Sequence, residues 1–235
     1  HSALFHGLTK EEKIANAEKA VEESLKKEEA SEMKTMPDAY VRKHELAKAL
    51  RETKGHPLYS FTEENERFSK EIADIRGALE KGEDVRKKIS DFRQIATHYA
   101  KKGDLIYPLL KVRYEISGPS DVMWSVDDEI RDELAAIDKE CNHDKEWIKR
   151  VQAVLTRADE MIYKEANILF PICAVNFTVE EWYGIYEDAK DYTLVYGIEN
   201  RWEEAEKYIQ DKKNRHEAAI YEGEIVMGGG HISVA

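Results

Sequence analysis

Apolar residues recur every three or four positions through most of the chain, the spacing of helices that turn one face to a core. Leu58, Phe61, Phe68, Ile72, Ile75 and Leu79 predict one such helix, and Val85, Ile89, Phe92, Ile95 and Tyr99 a second. Val122, Val126, Ile130, Leu134 and Ile137 predict a third, and Trp147, Val151, Val154, Leu155, Ile162 and Leu169 a fourth. The pattern therefore predicts an all-α protein with four core helices.

The flanks carry weaker stripes. Residues 9 to 34 are rich in Glu, Lys and Ala, and Ile14, Ala17, Val21 and Leu25 form only a thin apolar line. This predicts a solvated helical arm that opens on a capping box of Thr9 and Glu12 and is broken at Pro37. A short helix follows from Asp38 to about Glu52. After the four core helices, Thr178 and Glu181 cap an aromatic-rich helix, TVEEWYGIYEDAKDY. The polar tail from Arg201 reaches Gly228, Gly229 and Gly230, which predict a flexible joint. The expected organisation is thus a helical arm or linker over 1–54, the bundle with its aromatic helix over 55–200, and a C-terminal helix with a Gly-rich linker over 201–235.

Two segments are diverged copies of one another. His98 to Pro108 reads HYAKKGDLIYP and Met161 to Pro171 reads MIYKEANILFP. Aligned, His98 falls on Met161, Lys102 on Glu165, Tyr107 on Phe170 and Pro108 on Pro171. The first and fifth positions of each copy are four residues apart and share one helix face. A His and a Glu at that spacing can both reach a metal held between helices. The first copy keeps the His and the second keeps the Glu. Both prolines fall late in their helices, where kinks or ends are expected.

The doubled pattern H-x3-E-x4-F-P resembles the hemerythrin-like (HHE cation-binding) proteins, four-helix up-down bundles that carry two non-haem irons. Gly55 to Asn65 (GHPLYSFTEEN) is similar to the first bundle helix and Val122 to Leu134 (VMWSVDDEIRDEL) to the third. The closest likeness is to the branch in which the bundle follows a small helical domain and precedes a PAS sensor domain. His1 to Gly7 (HSALFHG) resembles the end of that helical domain, and Glu222 to Ile232 (EGEIVMGGGHI) the lead-in to the PAS domain. The resemblance implies a natural protein that extends in both directions. A PAS domain in the same full-length chain is the expected partner, and a homodimer is left open.

The resemblance also implies a set of metal-lining positions. Tyr59 stands in the place of a His on the first helix, and His98 matches a His ligand on the second. Lys102 replaces a bridging Glu, Asp127 replaces a His on the third helix, and Met161 replaces the first ligand of the fourth. Glu165 matches its Glu. A di-iron centre needs several imidazole nitrogens, which this set does not supply. Two arrangements stay open. In one, Lys102 points inward between Asp127 and Glu165 and its ammonium supplies the positive charge; otherwise it bends to solvent beside a wet pocket. In the other, a single metal ion, iron or zinc, is held by His98, Asp127 and Glu165 with help from His56 or Tyr59. The expected cofactor is accordingly none, or that single ion. Asn65 and Trp124 are assigned to packing and helix–helix hydrogen bonding.

Composition narrows the function classes. The chain has 48 acidic against 36 basic residues, a net charge of −12, which argues against a nucleic-acid or anionic-membrane partner. Charged residues make up 36% and hydrophobic residues 42%, as amphipathic helices require. Cys141 and Cys173 stand alone, so neither a disulfide framework nor a zinc knuckle is indicated. No apolar run reaches a membrane span, and a cytoplasmic location is expected. No nucleophile–base constellation, phosphate loop or nucleotide fingerprint is present, so an enzyme is not indicated. The leading expectation is a hemerythrin-like sensory or regulatory module with an altered, not di-iron, centre. The alternatives are a metal-binding protein for oxygen or nitric oxide handling or iron–sulfur repair, and a haem- or small-ligand-binding bundle using His98.

Overall fold

A computed structural model of the chain describes residues 10–221, 224–227 and 230–233. Each of the four predicted core stripes is a helix, and the stripes meet. The first bundle helix is α3 (Pro57–Glu80), with Pro57 at its first turn, where a missing N–H costs nothing. The second is broken into α4 (Arg86–Phe92), α5 (Ile95–Lys101) and α6 (Tyr107–Arg113). The third is α7 (Gly118–Lys139), and the fourth runs through α8 (Lys145–Lys164) into α9 (Phe170–Asn176). Phe68, Ile75, Phe92, Ile95, Ile130, Leu134, Val151 and Leu155 are all at most 1% exposed and fill the space between them. Each such side chain contributes about 1.5–3 kcal/mol by leaving water.

Neither repeated segment ends at its proline, since helix continues to Arg113 in one and to Asn176 in the other. Each passes through a π-turn just before its proline, Lys102–Ile106 in the second helix and Glu165–Leu169 in the fourth. The amide of Tyr107 bonds to the carbonyl of Lys102, and that of Phe170 to the carbonyl of Glu165. The wider turn absorbs the place where Pro108 or Pro171 cannot donate a hydrogen bond. It also has a consequence for the side chains. Five residues overshoot an α-helical turn of about 3.6, but a π-turn closes from i to i+5, so Lys102 and Tyr107 come to one face.

The N-terminal helices α1 (Lys10–Thr35) and α2 (Pro37–Glu52) pack on the bundle, which corrects the expectation of a solvated arm. α2 lies against α9 and α3, and α1 lies against α7 and α2. Val21 and Leu25 face Val122, Met123, Val126, Met161 and Ile168 around an apolar cavity of about 20 Å³. Their thin stripe suffices because α7 and α8 supply the other wall. The Thr9–Glu12 cap lies outside the described residues.

After the bundle, α10 (Val179–Ala189) begins with the expected capping box of Thr178 and Glu181. Its Trp182, Tyr183, Ile185 and Tyr186 are buried. A single 3-10 turn, Val195–Gly197, precedes α11 (Glu203–Tyr221). β1 (Glu224–Met227) and β2 (Gly230–Ser233) pair antiparallel with Ile225 opposite Ile232, and Gly228 and Gly229 of the expected flexible joint lie outside the described residues. No helix among the described residues is long and apolar enough to cross a membrane.

Candidate functional site

At one level of the bundle interior, charged side chains from all four helices converge. Each comes from a residue on a core-facing stripe. On α3, Glu64 and Asn65 lie between Phe61 and Phe68, so a helix that buries both rings must bury both polar residues. On the second helix His98, Lys101 and Lys102 are spaced by threes and fours and face inward together. α7 places Asp127 beside Val126 and one turn from Met123. Glu165 follows Met161 by four residues at the end of α8. His98, Lys102 and Glu165 are 0% exposed, Asp127 2%, Glu64 3% and Lys101 9%.

Lys102 occupies the middle. Its Nζ donates to Asp127 Oδ1 at 2.9 Å and also to Glu165 Oε1. The ammonium lies over the Tyr99 ring, 4.5 Å from its centroid. Asp127 Oδ2 accepts from Tyr107 Oη at 2.8 Å, a bond that depends on the π-turn. Glu165 Oε2 accepts from Asn65 Nδ2 at 2.6 Å and faces His98 Nε2 at 2.9 Å. The other ring nitrogen, His98 Nδ1, faces Glu64 Oε2 at 2.6 Å, and Lys101 donates to the second oxygen of Glu64. Phe61 and Phe68 hold the His98 ring edge-on from either side, at 5.0 and 5.4 Å between centroids.

Burial and charge pull the ionisable groups in different directions. Burial pushes Glu165 up, but the Lys102 and His98 charges outweigh it and hold the carboxyl at about 2. Asp127 shares the same ammonium yet is pushed up to about 6. Burial dominates there, and the negative Glu165 beside it offsets part of what Lys102 supplies. The difference follows from donors, since Glu165 faces three and Asp127 only two. Burial lowers His98, and Glu165 and Glu64 more than reverse this, so the imidazole is held above its ordinary value. Glu64 is pushed up by burial and brought below the usual carboxylate range by His98 and Lys101.

Of the positions singled out in the sequence, His98, Lys102, Asp127 and Glu165 are brought together. Lys102 takes the inward of its two placements. Met161 is buried beside the cavity under α1. Tyr59 stands one position off the α3 stripe and hydrogen-bonds to Glu63, so it is not in the cluster. His56 is not there either. It caps α3 by accepting the Leu58 amide at Nδ1, 3.0 Å away, with its ring between Trp182 and Trp202. Desolvation depresses it to about 3, and Nε2 is buried without a hydrogen-bond partner. Asn65 has the helix–helix hydrogen bond expected of it, and Trp124 packs against Tyr107 and closely over Gly103. Sequence reasoning missed Glu64, Lys101 and Tyr107. Glu64 had a signal, a carboxylate on the stripe that carries Phe61 and Phe68; Lys101 had none beyond its neighbour.

An all-α bundle with two repeated helix segments and a polar centre between its four helices defines a class. The hemerythrin HHE cation binding domain, as a family model, matches residues 56–173, half of the chain, and spans both copies of the repeat. The chain belongs to that family, whose members bind metal cations such as iron. No individual curated protein matches it. Among the described residues, no three His, Cys, Asp or Glu side chains converge in a way that could hold a metal ion.

Proposed function

We propose that this chain is a hemerythrin-like sensory or regulatory module whose centre is altered and does not take a di-iron pair, working within a longer chain that carries a PAS domain. One observation carries the reading: the Lys102 ammonium lies between the two carboxylates that would otherwise bridge or bind metal. A charged Lys ligates nothing and repels cations. The remaining donors do not fit a di-iron group. They comprise one imidazole with both nitrogens turned to carboxylates, and three carboxylates each engaged by a basic side chain. Oxygen or nitric oxide handling through iron, and haem ligation, both need a free His98 nitrogen. Glu64 and Glu165 engage the two that exist.

The PAS context has separate support. α11 leads from the bundle into a two-stranded hairpin, and two strands alone are marginal in water. Further strands beside β1 or β2 would stabilise it. A bundle without reactive metal, joined through a helix to a sheet, suits transmission of a conformational state more than chemistry.

Elemental analysis and an absorption spectrum of the purified protein test the reading. Iron well below one equivalent and no oxo-bridge charge-transfer bands are expected. Two irons per chain with those bands would overturn it.

A further inference from the structure

Outside the bundle core, a cleft of about 300 Å³ lies between α3, α5, α10 and the segment 192–201 that connects α10 to α11. The connecting segment is held at three points. Tyr192 Oη donates to Asp104 Oδ2 at 2.7 Å, the Tyr196 amide to Gln94 Oε1 at 2.8 Å, and Asn200 Nδ2 to Glu63 Oε2 at 2.7 Å. The cleft is therefore preformed, and its volume is at the small end of ligand sites. Three acids, Glu64, Glu199 and Glu206, and three bases, Lys101, Lys190 and Arg201, line it, so its charges balance. Most of these are committed within the protein. Glu206 accepts from Arg201 at 2.7 Å and from Tyr186 Oη at 3.0 Å, and Lys190 pairs with Glu187 at 2.7 Å. Lys101 is not fully used. It is 9% exposed and gives one of its three N–H groups to Glu64, and among the described residues no other acceptor meets it. An ammonium so nearly buried needs further acceptors, and the cleft is where they can enter. Two more polar groups of the lining have no side-chain partner among the described residues, the Ser60 hydroxyl and the Glu199 carboxylate. Leu194, which is 51% exposed, and Ile198 add apolar surface from the connecting segment.

We infer that this cleft binds a small zwitterion, an α-amino acid with an aliphatic side chain. Its carboxylate accepts from the Lys101 ammonium and the Ser60 hydroxyl, its ammonium donates to Glu199, and its side chain covers Leu194 and Ile198. Such a ligand is neutral overall and leaves the balance of the lining intact. A plain carboxylate or a plain amine would instead bring one uncompensated charge beside the buried Glu64–Lys101 pair. The inference rests on the reading of this chain as a sensory module and names the class of its signal. An occupant that touches residues 194–199 bears on the segment leading straight to Trp202, which is buried at the head of α11.

Titration calorimetry of the full chain with L-leucine tests this, beside 4-methylpentanoate, which lacks the amine, and 3-methylbutylamine, which lacks the carboxylate. Leucine should bind one per chain, and each of the other two at least about 10-fold more weakly. Ser60→Ala and Glu199→Gln, both outside the buried centre, should each weaken leucine binding about 10-fold. Lys101→Met should abolish it, and if that variant does not fold, the Ser60 and Glu199 variants decide. No leucine binding up to about 10 mM overturns the inference. So does equal binding of either single-charge analogue, or unchanged affinity in Ser60→Ala or Glu199→Gln. If wild type is metal-free and leucine does not bind, the inference falls and the functional reading stands; two irons in wild type would remove that reading and leave the binding result untouched.

Discussion

Replacing Lys102 by Met keeps the length of the side chain and removes its charge, which isolates the electrostatic part of its role. Glu165 would retain His98 and Asn65 as donors and stay ionised. Asp127 would retain only Tyr107, at 2% exposure. Breaking a buried pair in this way costs about 3–5 kcal/mol. Asp127 can limit that cost by taking a proton, because burial already holds it near 6 with Lys102 present and would hold it higher without. A carboxyl whose folded pKa lies above its unfolded value of 3.8 favours the folded state at low pH. That advantage is lost as pH rises toward the folded pKa. In Lys102→Met the window extends upward, so the penalty relative to wild type should be larger at pH 8 than at pH 5, by up to ~1.4 kcal/mol per pH unit. For a chain of this size 3–5 kcal/mol corresponds to a fall in Tm of roughly 6–20 °C. Urea unfolding followed by circular dichroism, with a chelator present, measures both quantities. A loss below about 1 kcal/mol at both pH values would refute the reasoning, because a buried carboxylate cannot lose its main partner so cheaply.

Three further outcomes follow from the packing around the centre. Gly55 has φ +86°, and an added Cβ would lie 2.3 Å from the Arg201 carbonyl oxygen. Gly55→Ala should therefore loosen residues 200–205, visible as faster hydrogen exchange at the start of α11, and unchanged exchange there would contradict the contact. Asn65→Ala removes a donor to the charged Glu165 and should cost about 1.5–3 kcal/mol in the same urea assay; a neutral effect would show that the bond contributes little. His56, held neutral by burial with a folded value of about 3 against 6.5 unfolded, withdraws stability as pH falls below about 6.5. Comparing wild type with His56→Phe from pH 7 to 4 should give a shallower acid-side decline in the variant, and identical slopes would reject the assignment.

The four helices, their buried faces and the doubled segment were legible along the chain because helical periodicity is local: a stripe of Phe61, Phe68 and Ile72 needs no knowledge of its partner. The likeness of His98–Pro108 to Met161–Pro171 led directly to the level of the centre. The strand pairing of Glu224–Met227 with Gly230–Ser233 was not foreseen, since two four-residue strands carry too short a pattern to stand out beside the glycines. The packing of α1 was also missed, because most of the apolar surface it covers belongs to α7 and α8.

What the sequence by itself determined is the placement of four charged residues, His98, Lys102, Asp127 and Glu165, on core-facing helix positions. Which of them meet was decided by the tertiary structure. Asn65 reaches Glu165 across 100 residues of chain, and Lys102 reaches Asp127 across 25. Lys101 and Lys102 are neighbours in sequence, yet one closes on Glu64 and the other on Asp127 and Glu165. The physical reason is that ion pairing depends on where side chains from separate helices converge, and on π-turns that rotate Tyr107 onto the face of Lys102. Neither is recorded in the spacing of any one helix.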